Sequence, residues 1–201
     1  MSNRIDVRKT YKLFIGGAFP RSESGYTFQV RSADGRLLAN AAKASRKDLR
    51  EAVRAARSAQ AGWAGRTAYN RGQVLYRVAE MLDARSDEFA TLLRDGGRSD
   101  ESARHEVEQA VDRWVWYAGW ADKVHQVFGS VNPVAGPFFN FTFPEPTGVV
   151  VQAVPDDPPL LGLASRLAPA IVTGNTSVVL AGEAAALVAM SLAEVLATSD
   201  V

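Results

Sequence analysis

The chain has 201 residues, a net charge of +1, 47% hydrophobic and 22% charged residues, and no cysteine. That balance describes a globular chain long enough for one or two domains, and it leaves no electrostatic case for nucleic acid or an anionic membrane. Without Cys there is no disulfide, no thiolate metal site and no cysteine nucleophile in these residues.

The polar start MSNRIDVRKT is not a signal peptide, and no stretch approaches the ~20 apolar residues of a membrane helix, so the expected compartment is the cytoplasm. Arg4, Arg8, Lys9 and Lys12 read as a solvated N-terminal arm. Residues 11–42 read as short strands, YKLFIGG, YTFQVRS and GRLLANAAKA, punctuated by Gly16-Gly17, Gly25 and Asp34-Gly35. Ser45 opens a helix with Asp48 as its capping-box partner, and Leu49, Val53, Ala56 and Trp63 form its apolar stripe. A second helix covers roughly 68–84, and a third starts at Ser86 with Phe89, Leu92 and Leu93 inward. Ser99 starts a long helix to about Phe128, with Ala103, Val107, Ala110, Trp114, Tyr117, Ala121 and Val124 at helical spacing. Its tryptophans Trp114, Trp116 and Trp120 read as packing residues. His105 and His125 read as solvent-facing or capping, since no HxxxH pair or Cys accompanies them.

Residues 129–147 are rich in Gly and Pro around an alternating Phe139-Asn140-Phe141-Thr142-Phe143. Alternation says strand, and the prolines place it at an edge that another chain is expected to cover. Gly148 to Glu183 then reads strand, loop, helix, strand. Val149 to Val154 suits a parallel strand buried on both faces, and Pro155-Asp156-Asp157 breaks it. Pro158 or Pro159 enters the first turn of a helix carrying Leu160, Leu161, Leu163, Ala164, Leu167 and Ile171, with Asp157 as N-cap. Gly174-Asn175 stops the helix, and Thr176 to Leu180 is the second strand. A right-handed crossover of this kind puts any ligand at the carboxyl ends of the strands, near 155–157 and 181–183. Glu183 suits the first turn of the following helix.

The stretch from Gly148 to Glu183 also resembles the aldehyde dehydrogenase superfamily, whose core runs G-V-V-x-x-I-x-P-W-N-F-P-L and then K-L-A-P-A-L-A-x-G-N-T-V-V-L-K-P-S-E. Gly148, Val149, Pro155, Pro159, Leu160, Leu167, Ala168, Pro169, Ala170, Gly174, Asn175, Thr176 and Glu183 match in order and in register. FIGGAF, the segment from Gly25 to Ala64 and YAGWADK resemble upstream family segments, so the likeness runs from about Tyr11 to Val201. It implies an α/β fold: the N-terminal portion of an aldehyde dehydrogenase-like Rossmann-type domain, with an N-terminal strand and helical layer (11–128), an oligomerisation hairpin (129–147), and the first β-α-β-α (148–201) of an incomplete parallel sheet.

The resemblance also implies NAD(P)-dependent oxidation of an aldehyde to an acid by a Cys nucleophile, a Glu base and a side-chain amide that helps hold the oxyanion. Here the amide's position is Asp157, which has no N–H to offer, and Asp156 stands where the family has Trp. The Lys that contacts the adenosine ribose falls at Leu180, while its companion remains as Glu183; with Pro155 these mark a degenerate NAD or NADP half-site. Val201 falls where the family pattern continues P-G-G-V-x-N, so the phosphate turn, base and nucleophile are expected beyond it. Two sheet strands without neighbours are expected to be marginal alone. The favoured expectation is a non-catalytic member that acts by oligomerising with aldehyde dehydrogenase-like subunits through 129–147. The alternatives are a complementing or regulatory subunit of an active assembly and a weak nucleotide-binding module.

Overall fold

A computed structural model describes residues 8–199. Arg4 and Val201 lie outside them. Lys9 is no free arm: its ammonium pairs with Glu194 at 2.5 Å. Of the expected strand 11–17, only Tyr11 lies in a strand, β1 (Thr10–Tyr11). Gly16 and Gly17 both have positive φ (58° and 77°), so the chain turns back there and Ile15 bridges Ala18. β1 runs parallel to β3 (Leu37–Ala42), and β2 (Thr27–Arg31) lies antiparallel on its other side.

Helix α1 (Arg46–Ala64) starts as the sequence predicts: the Ser45 hydroxyl accepts from Lys47 and Asp48, and the Asp48 carboxylate accepts from Ser45 N–H at 2.7 Å. Its stripe is shallower than expected. Trp63 is buried, Val53 and Ala56 are half-buried, and Leu49 is exposed. One side of α1 meets β7 (Thr176–Leu180), where Thr176 donates to the Ala56 carbonyl at 2.9 Å.

Helices α2 (Ala68–Asp83), α3 (Ser86–Asp95) and α4 (Asp100–Ala118) surround the core. The long helix expected to reach Phe128 breaks instead: α4 ends at Gly119, residues 119–123 turn, and α5 (Val124–Phe128) follows. Gly72 of α2 passes beneath this break, and a Cβ there would lie 3.0 Å from the Ala118 carbonyl oxygen and 3.1 Å from Ala121 Cβ. The break also splits the tryptophans. Trp114 is fully buried, Trp120 is half-buried, and Trp116 stands 62% exposed, so it is not a core residue. His105 and His125 face solvent as expected.

β4 (Ser130–Asn132) and β5 (Asn140–Thr142) form an antiparallel hairpin with Val131 opposite Phe141. Phe139, Phe141 and Phe143 stack along it, with ring centroids 5.4 and 5.8 Å apart, and all three are exposed. β6 (Val149–Ala153) pairs in parallel with β7 around α6 (Pro159–Val172), and α7 (Ala186–Ala197) closes the chain. β6 is not buried on both faces: Val151 is 52% exposed, because these residues cover the two-stranded sheet incompletely. The main core joins Leu75, Leu82, Phe89 and Trp114 to Leu160, Leu163 and Leu192. A smaller cluster (Val30, Ala39, Ala41, Ala186, Leu187) fixes the three-stranded sheet against α7. Among the described residues, no helix is long and apolar enough to cross a membrane.

Candidate functional site

β6 and β7 run in register from Val149 opposite Thr176 to Ala153 opposite Leu180, and Val154 N–H donates to the Leu180 carbonyl at 3.0 Å. Both strands therefore end together. The loop 154–158 and the loop 181–185 leave from one edge, as a parallel crossover requires.

Pro155 is half-buried, and its ring covers the first turn of α6: a Cβ on Gly162 would sit 2.8 Å from Pro155 Cγ. Asp156 is exposed, but its carboxylate occupies the space beside Gly182 where any side chain at 182 would have to go. Leu180 ends β7 at 45% exposure and presents no charge. Glu183 is exposed and precedes the first residue of α7 by three positions. It is therefore not in the first turn of α7, which contains no acid; only its carbonyl reaches Ala186 N–H, at 3.4 Å. Its side of the loop lines a cavity of about 220 Å³ together with β2 and Gly96.

Asp157 does not cap α6. The N-cap residue is Pro158, and no side chain of that segment accepts from the helix. The cap comes from Glu106 on α4, a residue only 4% exposed, whose Oε1 accepts from Leu160 N–H at 2.8 Å and Leu161 N–H at 3.2 Å. Its Oε2 pairs with Arg98 Nε at 2.8 Å, and the same guanidinium reaches out through Nη2 to Asp157. The solvated Asp157 carboxylate, 82% exposed, follows the cation rather than the helix start. Burying an acid at a helix N-terminus is tolerable because the orphan N–H groups and the dipole stabilise the negative charge.

No sequence motif points to Arg98 or Glu106. The signal was there for Glu106: it shares a helical face with Ala103, Val107, Ala110 and Trp114, and an acid on a buried stripe needs a partner.

Chemically, this edge offers carboxylates, one shared guanidinium and no thiol. The described residues also contain no group of three or more His, Cys, Asp or Glu that could hold a metal ion.

The family model for the aldehyde dehydrogenase family matches residues 20–201. The Bacillus subtilis protein DhaS is 35% identical over 195 residues, covering 94% of this chain and 39% of DhaS. Human retinal dehydrogenase 2 is 34% identical over 192 residues, covering 92% of this chain and 36% of its own length. The NAD+ complex of aldehyde dehydrogenase from Bacillus cereus superposes with a TM-score of 0.90 at 28% identity, over 96% of this chain and 40% of that one. The chain thus spans about two-fifths of the length of these proteins.

Proposed function

The chain belongs to the aldehyde dehydrogenase family, and we propose that its 201 residues supply a structural part of an NAD(P)-dependent aldehyde dehydrogenase assembly without performing the chemistry themselves. The observation that carries this is Asp157, held by Arg98 at the position where the family's oxyanion is met by a side-chain amide. A carboxylate there donates no N–H and repels a developing oxyanion. Loss of one such donor costs about 10²–10³ in rate where it has been measured. None of the 201 residues is Cys, so these residues offer no thiol nucleophile.

The hairpin 129–147 supports the structural half of the proposal. Val131, Phe138, Phe139 and Phe141 are each more than half exposed on a two-stranded ribbon, an arrangement that favours pairing with a second subunit. That surface also favours a second reading, in which this chain complements a subunit that carries the missing groups.

The test is reduction of NAD+ or NADP+ by the purified chain with a panel of short aliphatic and aromatic aldehydes. No turnover is expected, and Asp157→Asn combined with Leu180→Lys leaves it absent. Aldehyde-dependent formation of reduced nicotinamide by this chain alone overturns the proposal. Native mass spectrometry of complexes isolated from cells separates the two readings: a Cys-bearing dehydrogenase subunit in the complex selects the second.

A further inference from the structure

The edge where β6 and β7 end is built against phosphate, and we infer that the segment 155–158 plugs it and bars a dinucleotide from this half of the site. The inference rests on the family reading above, which makes NAD+ or NADP+ the ligand that the edge would otherwise take.

Three observations converge. A dinucleotide phosphate that lodged at this edge would draw on free N–H donors at the helix start, room beside the backbone, and positive charge. The first N–H groups of α6, at Leu160 and Leu161, are already taken by Glu106 Oε1. The room beside Gly182, which has no side chain of its own, is filled by the Asp156 carboxylate. The guanidinium of Arg98 is shared between two carboxylates, Glu106 and Asp157, and so brings no surplus charge. An approaching phosphate meets satisfied donors, an occupied cradle and two exposed acids, and Leu180 offers no cation to offset them. The residues present do not fit the group.

The plug is tied at Asp157 to the α3–α4 connection through Arg98, and the Asp156 carboxylate lies beside Gly182 in the loop that follows β7. Removing the two carboxylates returns room and takes away repulsion, and it releases the Nη2 side of Arg98 that Asp157 holds, while Glu106 keeps the Nε side.

The test is a titration of NAD+ into the full chain, followed by calorimetry and by ligand-observed NMR, which detects millimolar binding. The native chain is expected to show no saturable binding up to about 1 mM, a limit near −4 kcal/mol. Asp156→Ala/Asp157→Ala is expected to bind NAD+ at least about tenfold more tightly, through the repulsion removed. Circular dichroism shows whether the double variant keeps its fold. If it does not, Asp156→Ala alone, at an exposed position, is expected to gain in the same direction. Binding by the native chain with a Kd below about 100 μM overturns the inference, and so does a folded variant that gains no affinity. Binding without turnover defeats the plug alone, whereas aldehyde-dependent turnover also defeats the proposed function.

Discussion

Replacing Glu106 by alanine strikes the joint between the helical core and the strand-end loop. The substitution leaves two α6 N–H groups without an acceptor, one of them on Leu160, which is fully buried. An orphaned buried donor costs about 1–3 kcal/mol, and breaking a buried ion pair from one side costs about 3–5 kcal/mol. Arg98 keeps some contact with water, its side chain being 24% exposed, so the combined loss is expected to be about 4 kcal/mol rather than the sum of these costs. Glu106→Gln separates the two roles. Its carbonyl oxygen still accepts from Leu160 and Leu161 while the charge opposite Arg98 is gone, so about 1–2 kcal/mol is expected. Urea unfolding of the three proteins gives the stabilities, and amide exchange at residues 160 and 161 reports the cap directly. An alanine variant within about 1 kcal/mol of the native chain refutes the reasoning. A glutamine variant as damaged as the alanine one also refutes it.

Three other outcomes are expected. Burial alone would raise the Asp48 carboxyl, but N–H groups of Glu23 and Ser45 and hydroxyls of Ser22 and Ser45 bring it down from 3.8 to about 2. Its contribution, about 2 kcal/mol, is therefore full above the unfolded value and is lost as pH falls through the folded one. Thermal melts should show the gap between native and Asp48→Asn chains narrowing by about 1 kcal/mol between neutral pH and about pH 3. Arg71→Met removes a guanidinium that donates to the Val172 carbonyl at 2.9 Å and to those of Ala64 and Arg66 at 3.3 and 2.5 Å, and should cost about 2–4 kcal/mol in urea. Gly129→Ala sets a methyl against the His125 carbonyl and 3.2 Å from the Thr142 carbonyl oxygen. It should loosen the hairpin, seen as faster amide exchange in 130–142, while the core helices keep their protection.

Local chemistry was legible in the sequence; long-range substitution of one group for another was not. Ser45 and Asp48 announced the start of α1 because both halves of a capping box lie within four residues. The same reasoning failed at Asp157, where the cap is supplied by an acid 51 positions earlier in the chain and the nearer carboxylate is drawn to Arg98. Helical spacing put Trp114, Trp116 and Trp120 on one long helix. It does not mark the stop: α4 ends at the C-cap Gly119, and the turn that follows lies close against Gly72 of α2. The apolar run of β6 predicts the strand, but an unbroken run reports what a strand can bury and not what covers it, hence the exposed Val151. At the site, the parts given to Pro155, Leu180 and Glu183 rest on the family resemblance; from the crossover alone it followed that the loops 155–157 and 181–183 leave one edge. The closure of the edge did not, because it depends on where the Asp156 side chain turns.

Three bonds tie the early helices to the far end of the chain. Trp63 Nε1 donates to the Ile171 carbonyl at 2.8 Å, Arg71 reaches Val172, and Thr176 reaches Ala56, across separations of 108, 101 and 120 residues. Such distant closures are slow to form, since each must overcome the entropy of a long loop before any contact rewards it. On the ribosome, α1 and α2 therefore emerge well before the carbonyls that complete them. Until residue 172 is clear of the exit tunnel, the indole of Trp63 and the guanidinium of Arg71 lack their distant acceptors, and α1 and α2 stay incomplete for that interval.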